Sequence, residues 1–536
     1  MKRFLLTVAL IATAMSGAFT LRADMATNAP AMASTNAAPA APSMPAATLD
    51  QRVTAIEQYF ENGDPTAGFK DTNGNQNVQW SPIINTGLTN STGSVAAYPG
   101  AGHNGWLMTS TALVLFMTLP GLALFYGGLV RKKNVLSVLA QCFLITGLVT
   151  ILYVICGYGM IFGGTGAADK EDLIKGIVGS PKICWMMSNV NSAPNGNYSY
   201  WVSENVFAMF QMMFAIITPA LIIGSIAERM KFKAIFVFMT LWMLLVYFTQ
   251  GHMVWGVNGA ENGLWNPACI IHGLDFAGGT VVHMSSGWSG LVLCIILGKR
   301  LGFPKEPMPP HSIVLTYIGA SMLWVGWYGF NAGSAVAADV ISANAFTTTT
   351  IATAVGSFVW PMWDWVVKGK PTVLGFCSGA VAGLVLITPA CGYVLPSGAI
   401  WIGIAAGTIP WFFCYKVKAW LGMDDALDAW SVHGIGGMCG ALMTGMFART
   451  AANPNYGLHL NNAAEHPKVP AYVTDHIFQP EFFEQIKIVG TSLVLFIVGT
   501  IVIAFITKAL VGLRPTEEVE IAGLDINEHG EEGYVG

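Results

Sequence analysis

Between residues 105 and 511 the chain is a succession of about eleven apolar runs of roughly 17 to 25 residues, each long enough at helical rise to cross a hydrocarbon layer. They lie near 105–129, 135–163, 203–227, 233–255, 277–298, 312–334, 343–367, 372–389, 397–415, 430–448 and 488–511. A soluble core has no room for so many. Charge agrees: 10% of the 536 residues are Asp, Glu, Lys or Arg, against about 25% in a soluble domain. The expected fold is an all-α polytopic membrane protein with eleven transmembrane helices. There is no basic patch beyond short loop clusters, so nucleic acid is not an expected partner.

An odd number of spans places the two chain ends on opposite sides. The basic residues sort accordingly. Arg131, Lys132, Lys133, Arg229, Lys231, Lys233, Lys299, Arg300, Lys305, Lys368, Lys370, Lys416, Lys418 and Arg514 fall on one face. The positive-inside rule makes that face cytoplasmic. The other face keeps Lys170, Lys175, Lys182, Arg449 and Lys468. The chain start fits this orientation. MKRFLLTVALIATAMSGAFT pairs Lys2 and Arg3 with a short apolar run and small residues, which reads as a signal peptide over 1–23 cut near Ala18 or Ala23. An extracytoplasmic extension, 24–100, follows. It opens as an Ala, Pro, Ser and Thr linker. It then reads LDQRVTAIEQYFENGD, where Leu49, Val53, Ile56 and Phe60 make a short 4-3-4 seam. That helix either lies on the membrane domain or self-associates. The membrane domain is expected over 101–512 and a cytoplasmic tail over 513–536.

Two segments repeat. VVHMSSGWSGLVLCIILGKR (281–300) and SVHGIGGMCGALMTGMFAR (431–449) both read Val-His, then Gly four and seven places on. An aspartate stands eight residues before each histidine, Asp275 and Asp425. FYGG at 125–128 is echoed by FNAG at 330–333. The first copies fall in spans one and five, the second in spans six and ten. Repeats of five spans must be inverted, and inverted repeats place a site at their interface near the midplane. The architecture expected is an inverted 5+5 repeat plus a C-terminal helix.

His283 and His433 are the mid-span members of ten histidines. Ionisable groups inside a membrane are costly and point to function. Inversion brings the two imidazoles together. Both cannot easily be charged, but they can share one proton, so that one ring donates and the other accepts. A small molecule that both donates and accepts hydrogen bonds suits that pair, as does a proton passing from ring to ring. Gly287, Gly290, Gly437 and Gly440 permit close helix packing around it. Phe214 and Trp255 fall in or near outer half-spans, where their rings could form a cation-π cup.

DFAGGTVVH, VHGIGG, FYGGLVRKKNVLS, ERMKF, GHMVWG and GFNAGSA, in that combination, resemble the ammonium transporter family (Amt/Mep, relatives of Rh proteins), in its Amt-type branch. The resemblance runs from about residue 105 to 536. It implies a homotrimer with one narrow pore per subunit, a transport role and not an enzymatic one, no cofactor, and residence in the inner (plasma) membrane. It implies an outer ammonium site of Phe214, Trp255 and Ser334, and a gate of stacked rings from Phe214 and Phe330. His283 and His433 match the family's twin histidines. Asp275 matches an aspartate that shapes the outer site; locally it also reads as a helix cap. Leu221, Leu323 and Trp327 match pore-lining positions, and Asp425 and Asp428 the inner end. Ammonium would shed its proton at the mouth and pass the histidines as ammonia; the resemblance favours electrogenic transport. The tail carries seven acidic residues after Arg514. It resembles a family tail that packs across neighbouring subunits and supports blocking by a P-II (GlnK-type) protein.

The outer loops near 164–202 and after Trp255 are longer than in shorter family members. Each holds one cysteine, Cys184 and Cys269, and a disulfide between them is permitted outside the cytoplasm. Three other readings stay open: a haem or metal redox protein ligated by His283 and His433, an ammonium sensor, and an Rh-type ammonia or CO2 gas channel. Trp255 and Ser334 favour the ammonium branch.

Overall fold

The computed structural model describes residues 47–60 and 100–534, apart from 164–172, 183, 199–200, 265, 267–268, 454–472 and 475. The expected signal peptide and most of the extension lie outside the described residues. What is described of the extension is one helix, α1 (Leu49–Phe60). Its start is a reciprocal cap. The Thr48 hydroxyl accepts from the Gln51 N–H at 3.2 Å, and the Gln51 side chain accepts from the Thr48 N–H at 2.9 Å. Leu49 and Val53, half of the expected seam, are exposed.

The eleven expected spans are eleven helical rods: α2 (Ala101–Leu129), α3 (Lys132–Phe162), α4 (Glu204–Ile226), α5 (Phe232–Trp255), α6 (Gly279–Leu297), α7 (Ile313–Gly333), α8 (Val340–Lys368), α9 (Val373–Ile387), α10 (Pro396–Trp420), α11 (Trp430–Phe447) and α12 (Pro480–Val511). Among the described residues, eight of them are long and apolar enough to cross a membrane by length and composition. α8, α9 and α11 are shorter or more polar, and they are read as spans from their place in the repeat. Pro120, Pro219, Pro361 and Pro410 lie inside helices. Lone helices would break there, but packed membrane helices re-satisfy the freed backbone groups. The repeat symmetry is visible in the packing. The leading helices α2 and α7 lie against each other, and so do the closing helices α6 and α11.

α6 and α11 both open with a π-turn, Gly279–Met284 and Trp430–Ile435, and each turn carries its copy's histidine. Such turns cluster at functional sites. Each is capped by the aspartate eight residues ahead of its histidine. Asp275 accepts from the backbone N–H groups of Gly278, Gly279, Thr280 and Val281. Asp425 accepts from the Trp430 N–H at 2.9 Å and the Ser225 hydroxyl at 2.7 Å. Gly278 adopts φ +109°, a left-handed turn that lets the chain reverse into the Asp275 carboxylate.

One end of the bundle is basic. There Arg229 and Arg300, two of the residues that mark this face, are buried. Arg300 pairs with Asp424 at 2.7 Å and with Glu228 at 3.1 Å. Glu228 also holds Arg131 at 2.8 Å, and Arg229 donates to the Asp424 carbonyl at 2.6 Å. This lattice ties four inter-helix loops together. The acidic tail docks on its own chain. Arg514 pairs with Glu520 at 2.7 Å, and the Asp525 carboxylate accepts from the N–H groups of Leu136 and Ser137.

The opposite, loop-rich end carries the described residues of 173–203 and 256–278. Cys184 and Cys269 are not bridged; Cys269 Sγ meets His272 Nδ1 at 3.4 Å instead. Glu261 is buried in this end, with Thr491 donating to it at 2.5 Å and Gln250 at 3.4 Å. Burial pushes its carboxyl up from 4.5 to about 7, although the Thr491 and Gln250 hydrogen bonds pull the other way. The native state therefore holds a proton that the unfolded chain has released between pH 4.5 and 7. This contribution to stability is fully present below pH 4.5 and is lost as pH rises through about 7. The thermal midpoint of Glu261→Gln protein in detergent is expected to fall less than wild type's between pH 5 and 8. Parallel curves would contradict this.

Candidate functional site

A passage of three cavities, interrupted by side chains, lies along the interface of the repeats. The cavity at the loop-rich end is a vestibule of about 410 Å³ whose wall includes Phe214, Trp255, Asp275 and Ser334. Trp255 is pinned: its indole N–H donates to the Asp275 carbonyl at 3.1 Å. Its ring meets Phe214 edge-on, 5.8 Å between centroids. The Ser334 hydroxyl donates to the Phe330 carbonyl at 2.8 Å, which leaves its oxygen lone pairs able to accept. Aromatic faces and one accepting hydroxyl can replace part of a small cation's water shell.

Phe214 and Phe330 stack at 4.1 Å with 22° between their planes, and both are fully buried. They close the vestibule floor. Beneath them lies a cavity of about 10 Å³, the scale of one water-sized molecule, lined by Leu221, Leu323, Trp327, His283 and His433 among others. All the expected pore-lining residues meet there. His283 stacks on Trp327 at 5.4 Å and lies 6.1 Å from Phe330. His433 also lines a second vestibule of about 190 Å³ at the basic end. The order along the passage is therefore phenyl pair, His283, His433, basic-end vestibule.

The two imidazoles meet Nδ1 to Nδ1 at 3.2 Å, their rings 29° from parallel. Only one of the facing nitrogens can carry the proton of that bond. The ring that donates then has a bare Nε2, and the ring that accepts has Nε2–H. The pair thus presents one acceptor and one donor to the passage. His283 Nε2 has no hydrogen-bond partner among the described residues. Glycines make this approach possible. A Cβ on Gly287 would lie 2.1 Å from the Gly434 backbone nitrogen, and one on Gly437 would lie 2.7 Å from the Gly279 carbonyl oxygen.

Two features escaped the sequence. A polar chain locks Trp327: its indole N–H donates to Thr388 at 2.9 Å, and Thr388 and Thr349 both hold Asn331. Asn331 was legible only as part of GFNAGSA. The π-turns have no sequence signature. Asp425 stays beneath α11 as its cap, whereas Asp428 does reach the basic-end vestibule, at φ +62° and paired with Lys418. Among the described residues no group of three or more His, Cys, Asp or Glu could hold a metal ion.

An apolar passage with a vestibule at each end and a polar pair at the contact of two inverted repeats is the architecture of a membrane transport protein. The sequence profile of the Ammonium Transporter Family matches residues 105–534, and the chain belongs to that family. It is 40% identical over 451 residues to an ammonium transporter of Mycobacterium tuberculosis, covering 82% of this chain and 91% of that one. It is 40% identical over 426 residues to an ammonium transporter of Bacillus subtilis, covering 79% and 96%. The crystal structure of Saccharomyces cerevisiae Mep2 superposes with a TM-score of 0.69 at 30% identity, covering 80% of this chain and 93% of that one. Family membership gives the protein a role in ammonium transport across a membrane.

Proposed function

We propose that the protein takes up ammonium through the inner membrane by separating the cation into ammonia and a proton at the outer cup and conducting both past the His283–His433 pair. The observation that carries this reading is the 3.2 Å Nδ1–Nδ1 contact inside an otherwise apolar passage. The basic end is cytoplasmic by the positive-inside rule, so the loop-rich vestibule faces outward. Ammonium enters the cup of Phe214, Trp255 and Ser334, trading water for ring faces and a hydroxyl. A bare cation is costly in a dry passage, so it gives up a proton before the phenyl pair lets it by. That proton reaches the bare Nε2 of the donating ring. The ring passes its Nδ1 proton to its partner, which releases its own Nε2 proton toward the basic end. Ammonia follows as a neutral molecule and recombines with a proton in the second vestibule. Sodium and potassium have no proton to shed and are left behind. Asp275 and Asp425 act as caps that fix the π-turns holding the two histidines.

The working unit is a homotrimer with one passage per subunit. The docked tail is the contact site for a P-II-type regulator. The test is ammonium-evoked current in proteoliposomes, with potassium as the control. A current for ammonium at least about tenfold above that for potassium at equal concentration is expected. Equal currents contradict the mechanism. Ammonium-dependent uptake without current replaces it with the gas-channel reading.

A further inference from the structure

The loop-rich vestibule is lined by two carboxylates, Asp275 and Asp339, and by no lysine or arginine among the described residues. Asp275 is fully engaged. Its oxygens accept from four backbone N–H groups and the Thr280 hydroxyl, and it is buried.

Asp339 is different. It stands five residues past Ser334 at the start of α8, where its Oδ1 accepts from the Ser342 N–H at 2.9 Å. Its Oδ2 makes no hydrogen bond, and the side chain forms no ion pair, among the described residues. The helix N-terminus offsets only part of its charge, about half an elementary unit. The adjoining imidazole, His103, is no counter-ion. Its Nδ1 accepts from the Ala338 N–H at 2.9 Å, so that nitrogen bears no proton and the ring is neutral. A net negative charge therefore remains on the wall of a concave chamber, next to the segment that carries the Ser334 hydroxyl.

We propose that Asp339 is the recruiting anion of this protein: it gathers hydrated monovalent cations in the vestibule and so raises the local ammonium concentration facing the Phe214–Trp255–Ser334 cup. A chamber of about 410 Å³ takes ammonium together with several waters. The cation is held at this stage by charge alone and is stripped of water only at the aromatic cup below. A carboxylate set in low-dielectric walls focuses its field into the cleft. Its reach is about 30 Å at 0.01 M ionic strength and below about 10 Å at a few tenths molar. Recruitment by charge does not choose between ammonium and potassium, so Asp339 sets how much ammonium is needed, not which ion passes.

This role rests on the transport reading above, and the experiment separates the two. Ammonium-evoked currents are measured in proteoliposomes for wild type, Asp339→Asn and Asp339→Glu, at about 0.01 M and about 0.3 M ionic strength. Asparagine caps helices as well as aspartate does, so Asp339→Asn keeps the start of α8 and removes the charge. Asp339→Glu keeps the charge and weakens the cap. Asp339→Asn is expected to raise the half-saturating ammonium concentration about threefold at low ionic strength, with the maximal current changed less than about twofold. The difference is expected to vanish at high ionic strength, and Asp339→Glu to stay near wild type. Wild-type current with equal half-saturation in Asp339→Asn at low ionic strength overturns the role of Asp339 alone. So does a difference that salt leaves intact, or Asp339→Glu behaving like Asp339→Asn. A wild type without ammonium current overturns the transport reading, and this role with it.

Discussion

Replacing His283 and His433 together by leucine is expected to lower the ammonium-evoked current by at least about 100-fold, to the level given by potassium. The cause is electrostatic. With the pair in place, the passage offers one proton acceptor and one donor, and the charge of ammonium need not travel on the nitrogen. With leucine at both positions nothing in the roughly 10 Å³ cavity accepts a proton. The cation would then have to cross intact, and a charge in a dry membrane interior costs about 3 kcal/mol or more. At 25 °C that corresponds to about two powers of ten in rate. Leucine keeps apolar volume at both positions, and among the described residues each imidazole hydrogen-bonds only to the other, so their mutual contact disappears from both sides at once. The double variant should therefore keep a thermal midpoint near wild type, separating lost transport from lost structure. Undiminished, ammonium-selective current in a folded double variant would sink the proton relay.

The histidine pair is legible in the sequence because two independent constraints converge on it. Membrane placement makes an imidazole conspicuous, and a repeat of odd span number forces inversion. The same logic placed Asp275 and Asp425 as equivalents, and both turn out to cap the π-turns that hold the histidines. What stayed hidden is what depends on side-chain reach between distant segments. The burial of Arg229 and Arg300 has no signal in hydropathy, because it depends on Glu228 reaching Arg300, and Asp424 reaching both, from other loops. A pairing of Cys184 with Cys269 was suggested by one cysteine in each of two loops, and such a bridge needs Cα atoms within about 7 Å. Loop spacing alone does not fix that distance, and the thiols are not bridged. Asp339 was invisible as a charge, because nothing in GSAVAAD distinguishes a capping aspartate buried at a helix start from one facing a chamber.

The second large effect is expected at Gly287. In Gly287→Val protein the new Cβ would stand 2.1 Å from the Gly434 nitrogen and 2.4 Å from its Cα. Those are backbone atoms of α11, so no side chain can swing aside, and α6 and α11 must separate. Overpacking of this kind costs about 1 to 3 kcal/mol, and more where the backbone itself is in the way. A second consequence follows from position. Gly287 lies one helical turn beyond His283, and Gly434 directly follows His433, so the contact to be forced open is the one that sets the histidine distance. A 3.2 Å hydrogen bond does not survive an added separation of about 1 Å. Transport should therefore fall further than the loss of folded protein explains, with ammonium current per folded subunit reduced at least about tenfold. Gly490 on α12 supplies the control, since a Cβ there meets nothing within 4 Å. Gly490→Val should leave both midpoint and current near wild type. If Gly287→Val matched Gly490→Val in both measurements, close packing of α6 on α11 would not be what holds the two imidazoles together.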